Sequence, residues 1–279
     1  MNRNPLHVLA LTVLLAVTSA SEATADDGAG PVGVTAVAAP TARSARVGAL
    51  FAGGEHFCTA SVVHSPGRDL IVTAAHCLDG NAEDAVFVPG YRDGRSPYGV
   101  WKVERRFLPD GWAEGQDEEG EGSEDSDVAF AVVGEGGGKR VEDVVGGYRF
   151  VTRTATGATD VTVTGYPGSR EVPISCTNRP TRHSRTQQRI ECPDFSGGTS
   201  GSPWVNGYGE VVGVLGGHEE GGATADVSYS VVLGAQAARL YRDAAGDPPT
   251  AAGSRLVARV SRWEAPRLTR ADSQGPRGG

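Results

Sequence analysis

Apolar residues in this chain come in short runs that turn formers cut off almost at once. Val47-Gly48-Ala49-Leu50-Phe51, His56 to Val63, Leu70 to Thr73 and Val86-Phe87-Val88 are separated by glycine, proline, aspartate and asparagine. A second series begins near Val144 and includes Asp160 to Thr164, Arg189-Ile190-Glu191, Trp204-Val205 and Val211 to Leu215. Segments of this length, rich in Val and Thr, fit strands joined by tight turns rather than helices. The 40 glycines among 279 residues point the same way, because glycine serves turns and is depleted inside helices. An all-β chain of two modules of similar size follows. Only Val231 to Ala245 spaces its apolar residues at helical period, which predicts one C-terminal helix packed on the second module.

With 39% hydrophobic residues the chain can bury a sizeable core, and its net charge of −8 argues against nucleic acid as a partner. Residues 1–25 run from Arg3 through the apolar stretch Val8 to Val17 to Ala23-Thr24-Ala25, which reads as a signal peptide with a small-x-small cleavage site. That stretch is well short of the roughly 20 residues of a membrane span. A secreted, extracellular protein without membrane association after cleavage is expected. In an oxidising compartment Cys58, Cys77, Cys176 and Cys192 read as two disulfides and not as a metal site, since no CxxC pair is present.

Residues 26–46 read as a propeptide or disordered arm, 47–143 as the first β module, and 144–245 as the second module with its helix. Residues 246–279 read as a disordered Pro/Gly/Arg-rich tail, with a basic surface-binding segment around Arg255 to Trp263 as the sharper alternative. The acidic, glycine-rich stretch from Asp110 toward Asp127 reads as a solvated loop. Clustered carboxylates could take calcium, but the spacing does not match an EF-hand loop, and no metal is assigned.

Three places carry residues able to do chemistry. His76 directly follows a buried-strand pattern, in Thr73-Ala74-Ala75-His76-Cys77, and Ser200 lies in Gly197-Gly198-Thr199-Ser200-Gly201-Ser202-Pro203. A serine hydroxyl needs a positioned base, and the tetrahedral oxyanion that its attack creates needs fixed donors. Glycines around Ser200 would let the N–H groups of Gly198 and Ser200 converge beside the hydroxyl. Asp127, where the acidic stretch turns into Val128-Ala129-Phe130-Ala131-Val132-Val133, is placed to orient an imidazole from a buried position, with Asp125 in reserve.

Taken in order, His76, Asp127 and Ser200, with TAAHC, DVAF and GTSGSP around them, resemble the chymotrypsin-like serine peptidases. Gly165-Tyr166-Pro167 and GTSGSP look more like the bacterial branch that includes the V8-type glutamyl endopeptidases. The similarity spans roughly Val47 to Ala244. It implies two six-stranded antiparallel β-barrels, with His76 and Asp127 from the first and Ser200 from the second. It also implies a peptidase that acts through an acyl-enzyme on protein or peptide substrates, as a monomer and without a cofactor. Cys58 and Cys77 resemble the family's disulfide around the histidine loop, which leaves Cys176 and Cys192 to pair in the second barrel.

For the substrate residue preceding the scissile bond (P1), Asp194 stands six residues before the nucleophile, where trypsin-like members carry a pocket aspartate. Arg or Lys is therefore favoured over Glu, with an apolar residue as the third alternative. Glutamyl-specific relatives place a histidine where this chain has Leu215, with His218 close by but displaced. Gly216 and Gly217 are expected to pair with the substrate backbone. Thr199 replaces the aspartate that receives a new amino terminus in trypsins, and Val47 reads as a first-strand residue rather than as a trypsin-like start. Two other readings are an α/β-hydrolase esterase and a catalytically silent, protease-like binding module. The esterase lacks both the closing glycine of GxSxG and a histidine after His218. The silent module sits poorly with three intact candidate residues.

Overall fold

The computed structural model describes residues 31–79, 84–112 and 124–246. The expected signal peptide, most of the acidic stretch and the tail from residue 247 onward lie outside the described residues. The first module is a closed antiparallel barrel of six strands: β2 (Val47–Ala52), β3 (Glu55–Val63), β4 (Leu70–Thr73), β5 (Val86–Pro89), β6 (Trp101–Phe107) and β7 (Ala129–Val133). Their order is β2-β3-β4-β7-β6-β5, and β5 pairs back onto β2 to remove the open edges.

Strand β7 shows why its sequence is apolar without alternation. Ala129, Ala131 and Val133 join one core cluster with Leu50, Val62, Ile71 and Trp101. Phe130 and Val132 join another that contains Tyr166, Val205, Val214 and Leu233 of the second module. Both faces of the strand are buried, one inside the barrel and one between modules, so the period-2 pattern is masked.

The second module holds a six-stranded sheet, β1-β10-β9-β13-β14-β8, whose edge strand β1 is Val34–Val37, and a three-stranded sheet, β11-β12-β15. In the first, β8 is Arg149–Phe150, β9 Val161–Gly165, β10 Ile174–Asn178, β13 Pro203–Asn206 and β14 Glu210–Val214. In the second, β11 is Thr181–Arg182, β12 Gln187–Glu191 and β15 Val227–Val231. The two sheets meet where Val214 N–H donates to Ser230 Oγ at 2.9 Å and Gly216 N–H to Tyr229 O at 3.0 Å. A side-chain hydroxyl thus replaces one rung of a ladder.

Two expectations need correction. Within the segment expected to be an arm, Val34–Val37 forms β1, in register with β10 from Val34↔Thr177 to Val37↔Ile174. As an edge strand it leaves Val34 84% exposed, so main-chain pairing holds it and no buried face marks it in the sequence. The C-terminal helix α2 (Ala235–Ala245) packs on the first barrel rather than on the second module alone. Tyr241 stacks near Phe130 and Phe150, at 5.6 and 5.2 Å, and its hydroxyl donates to His64 O at 2.5 Å. Gly246 ends α2 in the left-handed conformation. One short helix, α1 (Val141–Val145), lies between the modules in sequence.

Candidate active site

Strand β4 ends at Thr73, Ala74 continues extended, and a single 3-10 turn, Ala75–Cys77, carries His76 on the barrel rim. Cys77 is bonded to Cys58 on β3, which ties this turn to the barrel wall. Cys176 is bonded to Cys192 in the second module. The Cys58 and Cys77 sulfurs lie close to His76, but in a disulfide neither offers a thiolate to a metal.

Asp127, 2% exposed, accepts three hydrogen bonds. His76 Nδ1 lies 2.7 Å from Oδ2, His76 N–H donates to Oδ1 at 3.0 Å, and Gly217 N–H donates to Oδ2 at 2.7 Å. A carboxylate so surrounded is an acceptor only, which assigns the His76 proton to Nδ1 and leaves Nε2 as the basic nitrogen. Burial of the ring works against its cation. The hydrogen bond and charge of Asp127, helped by Glu220, outweigh burial and raise the pKa above the ordinary histidine value. The second module reaches in closely: a Cβ on Gly216 would lie 2.5 Å from Asp127 Oδ2 and 3.1 Å from Ala74 Cβ, so only glycine fits. Asp125, the reserve candidate, instead accepts from Gln187 Nε2 at 3.2 Å.

Ser200 is seated against the first barrel by Thr59 N–H, which donates to Ser200 O at 2.7 Å. Before it, Gly198 takes φ +94, a backbone state costly for any side chain. Gly168 N–H holds Gly197 O at 2.7 Å. Because the peptide is planar and trans, this turns Gly198 N–H to the opposite side. Among the described residues, neither Gly198 N–H nor Ser200 N–H donates to another group.

Beside Ser200 lies a cavity of about 320 Å³ lined by Phe195, Ser196, Thr199, Leu215, Glu219 and Glu220, among others. A second, of about 220 Å³, is lined by His76, Asp79, Trp112, Glu124 and Glu220. Glu220 borders both.

Asp194 does not line the cavity beside Ser200. Its backbone is left-handed (φ 72), and its carboxylate, 57% exposed, pairs with Arg170 at 3.2 Å. Leu215 does line it, where the sequence suggested a missing histidine. His218 instead packs against His183 and Tyr229, with ring centroids 4.8 Å from each. The Gly216 and Gly217 N–H groups are committed to Tyr229 O and Asp127. Any backbone pairing with a peptide must therefore use their carbonyls or the neighbouring His218 N–H, which has no acceptor among the described residues.

Sequence reasoning passed over Glu219 and Glu220, although two acids followed by Gly221-Gly222 so soon after the strand of Leu215 were a usable signal. Thr59 carried none.

Residues 58–214, more than half of the chain, match the trypsin-like peptidase domain. A glutamyl endopeptidase of Bacillus licheniformis is 32% identical over 143 residues. That match covers 49% of this chain and 42% of the relative, so the chain spans less than half of its length. Among solved structures, the protease Anisep from Arthrobacter nicotinovorans superposes with a TM-score of 0.65 at 28% identity, covering 76% of this chain and all of that one. A Glu endopeptidase structure superposes with a TM-score of 0.62 at 18% identity, covering 78% of this chain and 98% of that one, a likeness of fold. With the barrel, the two disulfides and the motif match in agreement, the chain belongs to the trypsin-like peptidase family.

Proposed function

We propose that the chain is a secreted serine endopeptidase in which Ser200 is the nucleophile, His76 the general base and acid, and Asp127 the residue that orients the imidazole. The reading is carried by the buried Asp127 carboxylate, 2.7 Å from His76 Nδ1, on the rim against which the Ser200 loop is seated. Ser200 Oγ attacks the peptide carbonyl as His76 Nε2 takes its proton. The Gly198 and Ser200 N–H groups receive the oxyanion. The tetrahedral species collapses, the C–N bond breaks, and His76 returns the proton to the departing amine. A water molecule, deprotonated in turn by His76, then hydrolyses the acyl-enzyme. Secretion is supported by two disulfides, which persist in oxidising compartments.

For P1 we favour Arg or Lys, now on the strength of Glu219 and Glu220 rather than Asp194. Among the described residues no basic side chain lines the cavity beside Ser200, and two carboxylates do, a setting that attracts a cation and repels a carboxylate. Cleavage after Glu is the second reading, favoured by the name of the Bacillus relative.

The mature protein is expected to take one fluorophosphonate label at Ser200, and Ser200→Ala to lose both label and turnover. Turnover retained by Ser200→Ala overturns the nucleophile assignment. A mixed peptide library is expected to be cut after Arg and Lys; cuts confined to Glu would overturn the P1 preference and leave the nucleophile standing.

A further inference from the structure

We propose that Thr59 is a positioning residue whose side-chain hydroxyl fixes the peptide plane between the two oxyanion donors. The inference rests on the reading of Ser200 as nucleophile. Thr59 sits on β3, is 0% exposed, and contacts the nucleophile loop twice. Its N–H donates to Ser200 O at 2.7 Å, and its Oγ1 donates to Gly198 O at 3.0 Å. The same oxygen accepts from Tyr166 N–H at 2.9 Å, and Thr59 O accepts from Thr73 Oγ1 at 2.7 Å. One residue of the first barrel thus grips the loop that carries Ser200 and the strand that leads to His76.

Three consecutive peptide planes decide where the donors point. The Gly197–Gly198 plane, which carries Gly198 N–H, is pinned by Gly168 N–H on Gly197 O at 2.7 Å. The Thr199–Ser200 plane, which carries Ser200 N–H, is pinned by Ser202 Oγ on Thr199 O at 2.6 Å. The Gly198–Thr199 plane between them is held at its carbonyl by Thr59 Oγ1. The torsions that join this middle plane to its two neighbours set the angle between the Gly198 and Ser200 N–H groups, so a plane left loose would let that angle drift. The residue at its start is a glycine at φ +94, with little local resistance to such drift. The residue at its end, Thr199, is uncharged, buried, and bonded through Oγ1 only to Ser196 O at 2.7 Å. Within the loop this plane is held only at its other end, where Thr199 N–H donates to Ser196 O at 3.1 Å, so Thr59 supplies from outside the loop the restraint on its carbonyl.

Thr59→Val keeps the shape and removes the hydroxyl. With a peptide substrate, kcat is expected to fall about 100-fold with KM held within roughly twofold. A peptide boronic acid, whose tetrahedral adduct presents an oxygen where the oxyanion forms, is expected to bind more weakly in proportion, while the matching product peptide binds as before. Thr59→Ser, which keeps the hydroxyl, is expected to return kcat to within about threefold of the parent. If Thr59→Val does not fold, Thr59→Ala carries the same comparison. Three results would overturn the inference: parent-like kcat without the hydroxyl, an equal loss in Thr59→Ser, or equal weakening of boronate and product. An inert parent protein that takes no fluorophosphonate overturns the catalytic reading and this inference together. An active parent matched by Thr59→Val overturns this inference alone.

Discussion

Burial of the His76 ring disfavours its cation, yet Asp127 and, to a lesser degree, Glu220 leave the pKa raised. Under the proposed mechanism the neutral ring is the working form, so kcat/KM falls as pH drops through that raised pKa. The stability effect runs the other way. A histidine whose folded pKa is raised stabilises the fold fully below its unfolded pKa of about 6.5, and that contribution is lost as pH rises through the folded value. Loss of activity in acid is then protonation of the base, not unfolding at this site. Replacing Glu220 by Gln removes one of the charges holding the cation, so the acid limb of the kcat/KM profile is expected to move to lower pH. A limb that stays in place or moves up would refute the role given to Glu220. As candidates, His76 and Ser200 stand out in the sequence because their surroundings are local: small residues before the imidazole, glycines around the hydroxyl. Asp127 was legible as the point where acidic sequence becomes buried strand. Asp194 was misplaced in the cavity because a count back from Ser200 gives a position but not a direction, and a left-handed backbone turns its carboxylate out to Arg170.

The segment Gly217 to Gly222 is a strained element held from the opposite module. Glu219 and Glu220 are consecutive non-glycine residues at φ 49 and 55, a conformation that costs about 1–2 kcal/mol per residue. Glu124, at the end of the acidic stretch, accepts from Glu219 N–H at 2.8 Å and lies 3.3 Å from His218 Nδ1. Gln187 Nε2 in turn holds Glu124 O at 2.8 Å. The turn that places Glu220 between the two cavities is therefore latched by a residue on the segment leading to Asp127. Losing one such hydrogen bond is worth about 1 kcal/mol, or roughly a fivefold change in binding. Glu124→Ala is thus expected to raise KM about fivefold with little change in kcat. Glu124→Gln, whose amide oxygen still accepts from Glu219 N–H, is expected to keep most of the parent KM. A drop in kcat at constant KM would place the effect in the chemistry instead. Elements of this kind were hidden in the sequence, since a latch between residues 124 and 219 leaves no local periodicity. The barrel strands were visible because each is an apolar run bounded by turn residues.

At the scale of the molecule, the two modules share a core through Phe130, Val132, Tyr166 and Val214, and chain segments cross between them at both ends. Helix α2 returns from the second module to the first barrel. At the other end, β1 lies in the second module's sheet, while β2, which begins at Val47, lies in the first barrel. That crossing limits how the chain can mature. Gly33 N–H donates to Glu191 O at 2.8 Å, Thr35 Oγ1 to Pro193 O at 2.6 Å, and Ala38 N–H to Pro173 O at 2.9 Å. Glu191 and Pro193 flank Cys192, and Asp194 and Phe195 lead on to the cavity beside Ser200. Cleavage after Arg46 would detach this strand and create an amino terminus at Val47, a buried residue already paired with Ser61 on β3. Thr199, before Ser200, offers no carboxylate to receive that amine. The mature protein is therefore expected to begin at or before Gly33, as mass spectrometry of its amino terminus would show. A chain trimmed to start at Val47 loses at least three cross-segment hydrogen bonds, about 3 kcal/mol in all. For a chain of this size that corresponds to a fall in Tm of about 10 °C, together with weaker turnover from a less restrained pocket wall. A secreted form beginning at Val47, equally stable and fully active, would refute this account: β1 would then be dispensable packing and not part of what holds the second module's wall in place.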